Sequence, residues 1–382
     1  MFLDAVRKRN PGLIRFAAQL HREGMIPPNT FVIDKGAVRK NAHMIASRAH
    51  ELGLKLYFMA KQFSYDAEIM EAIRESIPSA VAVDWMGAEA MMAQQVPVKH
   101  VGHLVPIPFH TIPKVMQQAR PEVWTVLDLE AAAEVSRIAS ALNITQPVLL
   151  RITGDDLFPG QEGGFTSKNV QEAAKRIADM PGLEVAGVTS YPCFAWDEQS
   201  LSYKPTSNLE HVQIAIERLK AEGFTLKQIN LPGNTSRSVL SLVAQYGGTH
   251  GEPGHALTGT TPEQSQGHCD EIPATVYVSE ISSIAPDQAQ VYGGGLYPRA
   301  HARGALVGSS VDELVEREPL PIEFPPAQYI DYQCTLKLPE GQRVHCGDTV
   351  VMSFRFQLFV LRSYRAIVEQ DEHGTWKLLS FH

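Results

Sequence analysis

From residue 55 to residue 252 the chain repeats one cassette: a short apolar run, a polar turn and an amphipathic helical stretch. The apolar runs fall near 55–60, 80–84, 100–105, 123–127, 147–152, 184–189, 227–231 and 248–252. Eight strands with intervening helices are the pattern of an α/β protein built as a (β/α)8, TIM-like barrel, with helices covering a parallel sheet. A doubly wound open sheet alternates in the same way, so the count alone leaves both architectures standing. The least strand-like runs are 100–105 and 248–252, the latter short and rich in glycine.

The flanks have a different texture. Residues 1–27 carry helical spacing broken at Pro11-Gly12, which assigns 1–30 to an N-terminal helical extension. A short strand at 31–34 and a helix at 35–52, with Val38, Ile45 and Leu52 on one side, lead into a barrel domain at 31–265. After Pro262 the helices give way to short β-rich runs at 276–279, 289–292, 333–336, 350–354 and 359–361, separated by Gly, Pro and Asp turns. They predict a second, mainly β domain at 266–382, which the strand at 31–34 is free to join, with 319–326 as a proline-rich connector.

At 382 residues the chain suits one large and one smaller domain. Its net charge of -8 argues against nucleic-acid or anionic-membrane partners, which need basic faces, and fits a small-molecule substrate. The four cysteines, Cys193, Cys269, Cys334 and Cys346, lack the short spacing of a zinc knuckle or redox pair, so free thiols in a reducing compartment are expected. Residues 1–20 are charged throughout, unlike a signal peptide, and no apolar stretch approaches the ~18 residues of a membrane span. The expectation is a soluble, cytoplasmic protein.

Lys61 ends the first apolar run, with a helical segment starting almost at once from Asp66. In a parallel barrel the carboxyl ends of the strands form the active-site face, and burying an unpaired ammonium is costly. A lysine held there against apolar neighbours can lose its proton and form a Schiff base, although a solvated strand-end lysine fits the same letters. Leu231-Pro232-Gly233-Asn234-Thr235-Ser236 follows the seventh run and opens a helix. Such a start offers donors to a phosphate, and Asn, Thr and Ser are equally the residues that cap helices. Gly251-Glu252-Pro253-Gly254-His255-Ala256 follows the eighth run and, taken alone, reads as a surface turn.

Lys61-Gln62-Phe63-Ser64-Tyr65 resembles the cofactor-lysine segment of bacterial alanine racemases, where a lysine at a strand end is followed four residues later by a tyrosine. The family's landmarks recur in order over most of the chain, which thereby resembles the fold-type III enzymes that use pyridoxal 5'-phosphate (PLP), and among them the YhfX-like members. The resemblance implies that Lys61 holds the cofactor and that Tyr65 donates to its phosphate. It makes Asn234, Thr235 and Ser236, with the backbone amides of Gly254 and His255, the remaining phosphate ligands. Tyr191 takes the place of a histidine that packs near the cofactor ring.

Glu252 stands where alanine racemases carry arginine and where ornithine and diaminopimelate decarboxylases carry glutamate in a similar Glu-Pro-Gly motif. A carboxylate there keeps the pyridinium protonated and stabilises the carbanion formed when a bond at Cα breaks. Val291-Tyr292-Gly293-Gly294-Gly295-Leu296-Tyr297-Pro298-Arg299 resembles a racemase run whose first tyrosine reaches across a dimer interface. By that resemblance Tyr292 is the acid or base on the face opposite Lys61, racemisation needing one group on each face; a strand residue beside a glycine turn is the plainer reading.

Departures matter as well. An Asp-Thr-Gly segment of the family is reduced to Arg151-Ile152-Thr153-Gly154, and Glu162 replaces an arginine, so alanine itself is not the expected substrate. Arg355, Gln357 and Arg362 punctuate an apolar strand pair and would either meet a substrate carboxylate or be solvated. Related aldolases and dehydratases bind a divalent ion through a His and a Cys of the β domain. Here the pairs His345-Cys346 and His268-Cys269 are adjacent and so point to opposite faces of a strand, and no metal is expected. The resulting expectation is a homodimeric PLP-dependent racemase or epimerase acting on an amino acid or small amine-bearing acid. A decarboxylase or lyase is the alternative, with Cys334 or Cys346 then sought opposite the lysine. The readings of other classes are a PLP-binding protein without turnover and a barrel enzyme whose lysine meets a carbonyl substrate directly.

Overall fold

The computed structural model describes residues 1–267, 269–297, 299–300 and 302–382. Two compact units divide the chain: residues 1–42, 61–72 and 255–382 form one, and residues 43–60 and 73–254 the other. These divisions fall elsewhere than the boundaries at 30 and 265 expected from sequence.

The second unit is the barrel. Its parallel strands are Lys55–Leu56, Ala80–Val81, Val98–Val101, Val123–Val126, Gln146–Thr153, Leu183–Thr189, Gln228–Asn230 and His250–Gly251, and from Ala80–Val81 onward each pairs with the next in the chain. His250–Gly251 pairs with Lys55–Leu56, and a parallel bridge from Phe58 to Ala80 closes the ring. This closure excludes the doubly wound alternative, whose strand order reverses partway across the sheet. The observed strands lie within the eight apolar runs or begin a residue or two ahead of them.

Local chemistry explains the alternation. Val123–Val126 is buried at all four positions, as a strand covered on both faces requires. The following helices begin where a side chain accepts an orphan amide: Asp84 from Gly87, Asp128 from Ala131 and Ser236 from Val239. Helix Val170–Ala178 buries Val170, Ala173, Ala174 and Ile177, the i, i+3, i+4, i+7 stripe that packs on a sheet. At Gly187 a Cβ would lie 1.7 Å from the Gln228 carbonyl oxygen, so only glycine lets these neighbouring strands approach as they do.

In the first unit six antiparallel strands close on themselves in the order Thr275–Ile284, Gln288–Tyr292, Gln333–Lys337, Leu320–Glu323, Gly304–Gly308 and Thr349–Met352. Thr30–Asp34 joins this sheet antiparallel to Thr275–Ile284 and parallel to Tyr364–Gln370, which pairs in turn with Trp376–Phe381. Several sequence expectations need correction. Leu320–Glu323 makes a strand of the proline-rich connector, with Pro321 inside it, Pro319 just before it and Pro325 and Pro326 beyond its end. The run at 359–361 lies in a short 3-10 turn, Leu358–Val360, and the strand begins only at Tyr364. Gly304–Gly308 and Trp376–Phe381 are strands that the sequence did not single out.

The N-terminal helices, Phe2–Arg9 and Pro11–Arg22, are part of this unit's core. Pro11 sits at the first position of the second helix, where its missing N–H costs nothing. Leu3, Val6, Leu13, Ile14, Ala17 and Leu20 pack with Val32, Val276, Val278, Val351 and Val368 of the sheet. Burying one Leu or Ile side chain stabilises by about 1.5–3 kcal/mol, so the pair closes the sheet rather than merely extending the chain. Among the described residues no helix is long and apolar enough to cross a membrane.

Candidate active site

Glu252 follows the last barrel strand, and its side chain is 0% exposed. Two barrel strands, and the turn after one of them, aim polar groups at it. His100, in Val98–Val101, places Nδ1 2.6 Å from Glu252 Oε1, and its Nε2 lies 2.7 Å from Thr125 Oγ1. Asn230, the last residue of its strand, donates from Nδ2 to the same Oε1 at 2.8 Å. His103 Nε2 stands 3.2 Å from Oε2, yet Oε2 accepts no hydrogen bond. Burial by itself would raise the Glu252 pKa; His103, His100 and Asn230 outweigh it and hold the carboxyl well below its ordinary range.

The surroundings fix this group in place. The Thr235 hydroxyl accepts from the Glu252 backbone N–H at 3.3 Å. Arg151, 1% exposed, donates from Nη1 to the His103 carbonyl at 3.1 Å and from Nη2 to the Gln161 carbonyl at 2.9 Å. Tyr191 meets the His103 ring edge-on at 6.0 Å, which puts the residue expected beside a cofactor ring next to the Glu252 cluster. Deeper in the barrel, Tyr57 stacks on His250 at 5.3 Å and donates to Glu122 at 3.1 Å, filling the interior. Cys193 is fully buried with its thiol pKa pushed up by burial, so it is an inert packing residue.

Of the expected phosphate ligands, Ser236 caps helix Arg237–Gln245 by accepting from Val239, so the capping reading is realised there. Asn234 takes a left-handed φ of 50° and donates to the Phe194 carbonyl at 3.3 Å. A Cβ at Gly233 would come within 2.7 Å of the Phe194 backbone, so glycine permits that close approach.

In the other unit, Lys61 opens a 3-10 turn, Lys61–Phe63, and its ammonium lies 5.9 Å from the Phe359 ring centroid. Ser64 and Tyr65 then both adopt left-handed φ, 54° and 56°, a strain of the kind that clusters at functional sites. His255 lies in this unit; its Nδ1 is 3.0 Å from Thr260 Oγ1, and its Nε2 is 3.0 Å from Gln357 Nε2. Burial, then Arg355, Lys61 and Arg299, push its pKa well down, so the imidazole is neutral. Gln357 Oε1 is buried and accepts no hydrogen bond. Arg362 instead donates to Asp331 at 2.9 Å and stacks on Tyr332 at 5.4 Å, which gives it a structural partner.

Tyr292 ends its strand opposite Gln333 and is 40% exposed. The glycines after it serve packing: a Cβ at Gly293 would lie 2.2 Å from the Asp331 carbonyl oxygen, and one at Gly295 2.2 Å from the Tyr277 ring. Pro298 of this run lies outside the described residues, as does His268 of the His268-Cys269 pair. Cys334 is buried in its strand, its thiol pushed up to about 12 by burial, and Cys346 is exposed. His345 is exposed as well.

Among the described residues, His100, His103 and Glu252 are the set whose ligand atoms are close enough to surround a metal, within 4.8 Å of one another. The 2.6 Å contact is that of a hydrogen bond, since co-ligands with bonds of ~2.0–2.1 Å to a tetrahedral ion sit roughly 3.3 Å apart. The arrangement instead suits a cationic N–H donor: a buried carboxylate with one oxygen accepting two hydrogen bonds and the other, beside His103 Nε2, accepting none. That is the donor a PLP pyridinium supplies, so Glu252 fits the cofactor. His100, His103 and Asn230 were not singled out from sequence; the signal that could have found them is the polar letters at the ends of otherwise apolar strand runs.

Residues 33–262 match the family model of the alanine racemase N-terminal domain, and residues 276–378 that of the YhfX-like C-terminal domain. The Escherichia coli K12 protein YhfX is 38% identical over 377 residues, covering 98% of this chain and 96% of that protein. Among solved structures, the D-threonine aldolase of Filomicrobium marinum aligns with a TM-score of 0.68 at 14% identity, covering 92% of this chain and 94% of its own. Alanine racemase of Clostridium difficile 630 gives 0.62 at 13% identity, covering 94% and 98%. The D-threo-3-hydroxyaspartate dehydratase of Delftia sp. HT23 gives 0.65 at 14% identity, covering 92% and 97%. At such identities the structural likeness speaks for the fold.

Proposed function

The chain belongs to the alanine racemase-like family of PLP-dependent enzymes, in its YhfX-like branch, and on that premise we propose that it is a racemase or epimerase acting at the Cα of an amino acid or small amine-bearing acid. The observation that carries PLP-dependent chemistry at Cα is the buried Glu252 carboxylate whose Oε2 accepts no hydrogen bond, and the choice of a racemase rests on Tyr292, exposed at the end of its strand. Glu252 would hold the protonated pyridine nitrogen, Lys61 the aldehyde carbon, and Tyr65, Asn234, Thr235, Ser236, Gly254 and His255 the phosphate, with Tyr191 packing near the ring. Bound there, the cofactor withdraws the electrons released when a bond at Cα breaks.

Lys61 and Tyr292 then divide the proton work. Each serves one face of Cα, one accepting the proton that the other side replaces. Tyr292 is exposed within its own unit, together with Tyr329, Ile330, Tyr332, Phe359 and Val360. A second copy of the chain would cover these side chains, and a homodimer is part of the proposal.

A lyase or decarboxylase is the second reading, favoured by the carboxylate at position 252. Against it, Cys334 is buried and its thiol stays protonated near neutral pH. The deciding experiment incubates the PLP-loaded protein in deuterated water with both enantiomers of each amino acid in a panel, following Cα proton exchange and released products. Exchange that interconverts the enantiomers supports the racemase. Loss of carbon dioxide or of an aldehyde without interconversion sinks it in favour of the lyase. Stoichiometric PLP with no exchange and no product leaves only a binding protein.

A further inference from the structure

The Glu252 cluster contains more than a cofactor contact requires. A carboxylate held far below its ordinary pKa can only accept, so the 2.6 Å contact with Oε1 means that His100 Nδ1 carries a proton. Asn230 Nδ2 donates to the same oxygen at 2.8 Å. On the far side of the ring, His100 Nε2 meets the Thr125 hydroxyl at 2.7 Å, a group able to donate or accept, so the imidazole is anchored at both nitrogens. All of these groups are buried. Two donors therefore converge on one oxygen of Glu252, whereas the other accepts no hydrogen bond and has the His103 Nε2 beside it at 3.2 Å.

We propose that His100 is a positioning residue for the cofactor nitrogen: with Asn230 it occupies Glu252 Oε1, so that Oε2 alone is presented to the pyridinium N–H. This rests on the reading of Glu252 given above. Without the anchor the carboxylate is free to rotate about its last torsion and to share its charge between both oxygens. His100 works through Glu252 and touches neither substrate nor cofactor.

The two ring nitrogens make the inference testable by side-chain mimicry. The amide nitrogen of asparagine falls near the place of Nδ1, and that of glutamine near Nε2. His100→Asn keeps the donor to Glu252, whereas His100→Gln sends it toward Thr125. The measurement is the 15N chemical shift of PLP labelled at the pyridine nitrogen, bound to each protein, with cofactor stoichiometry and circular dichroism confirming that the barrel is folded.

Wild type and His100→Asn are expected to give the protonated signal, and Glu252→Gln the unprotonated one. His100→Gln is expected to shift toward the unprotonated value and to slow Cα proton exchange by about tenfold or more, the loss typical when a residue that orients a ligand from behind is removed. If His100→Gln does not fold, Asn230→Ala tests the other donor to Oε1 and should shift the signal in the same direction. A protonated signal retained in the folded variant, or lost in His100→Asn, overturns the role of His100. A stoichiometric metal ion in the wild-type protein that disappears in His100→Gln overturns it too. A signal unchanged by Glu252→Gln sinks instead the assignment of Glu252 to the cofactor nitrogen.

Discussion

Glu252 and Tyr292, the two side chains on which the functional reading turns, live under opposite conditions. Glu252 is sealed in the barrel, its side chain 0% exposed and held by His100 and Asn230. Tyr292 ends a strand of the antiparallel unit at 40% exposure. The barrel therefore builds its polar centre from its own strands, in a low-dielectric place where an ionised group is costly unless hydrogen-bonded. The antiparallel unit presents its candidate acid or base at the end of a strand, open to solvent. Damage at the first residue should reach both stability and chemistry, and damage at the second chemistry alone.

The largest break in that contrast is Glu252→Arg. It puts a cation beside two histidines and removes the acceptor of His100 and Asn230, so Cα proton exchange should fall about 10³-fold and stability by about 3–5 kcal/mol. Denaturant titration alongside the exchange assay checks both; an unchanged exchange rate would refute the cofactor role. Next comes Leu13→Ala in the helix that closes the antiparallel sheet. It should cost about 3 kcal/mol in unfolding, within the range for a buried Leu→Ala change, and should spare the barrel's near-ultraviolet signals. Loss confined to the barrel would contradict the division into two units.

Tyr292→Phe should leave the unfolding midpoint unchanged within about 0.5 kcal/mol, as for an exposed site. It should slow exchange from one enantiomer about 10²-fold while the other retains its Lys61-dependent rate. Equal loss for both enantiomers, or none, makes Tyr292 structural. The smallest effect belongs to Arg362→Ala, which removes an exposed ion pair with Asp331 and the contact with Tyr332 and should cost under about 1 kcal/mol. A larger cost, or a raised KM, would return Arg362 to the substrate pocket.

Acid should reveal the sealed residue as well. The folded pKa of Glu252 is depressed from 4.5 to about 2. The stability that its ionisation contributes is fully present above about pH 4.5 and is lost as pH falls toward 2. Glu252→Gln should flatten the stability profile over that window, as followed by tryptophan fluorescence; an unaltered profile would mean that another carboxyl governs it.

The same contrast governs what the sequence reveals. The barrel strands could be read because covered parallel strands are continuous apolar runs, and 123–127 is a clear example. The antiparallel strands were harder. Leu320–Glu323 is hidden among prolines, and Trp376–Phe381 alternates partly buried and exposed residues at a sheet edge. The helices at 2–22 looked peripheral because amphipathic spacing tells that a face is buried but not against what. Within the site, Glu252 stood out through its motif. Its partners His100 and Asn230 did not, because a polar residue at a strand end gains its meaning only when barrel closure brings residues 100, 230 and 252 together.

The most direct test of the account is the visible absorption spectrum of the purified protein with added PLP, for wild type and Lys61→Ala, followed by borohydride reduction and peptide mapping. The account predicts a cofactor band in wild type that is missing from the variant, and a reduced cofactor fixed on the peptide containing Lys61. A wild-type protein with no such band at saturating PLP, or a cofactor fixed on a different lysine, would contradict it.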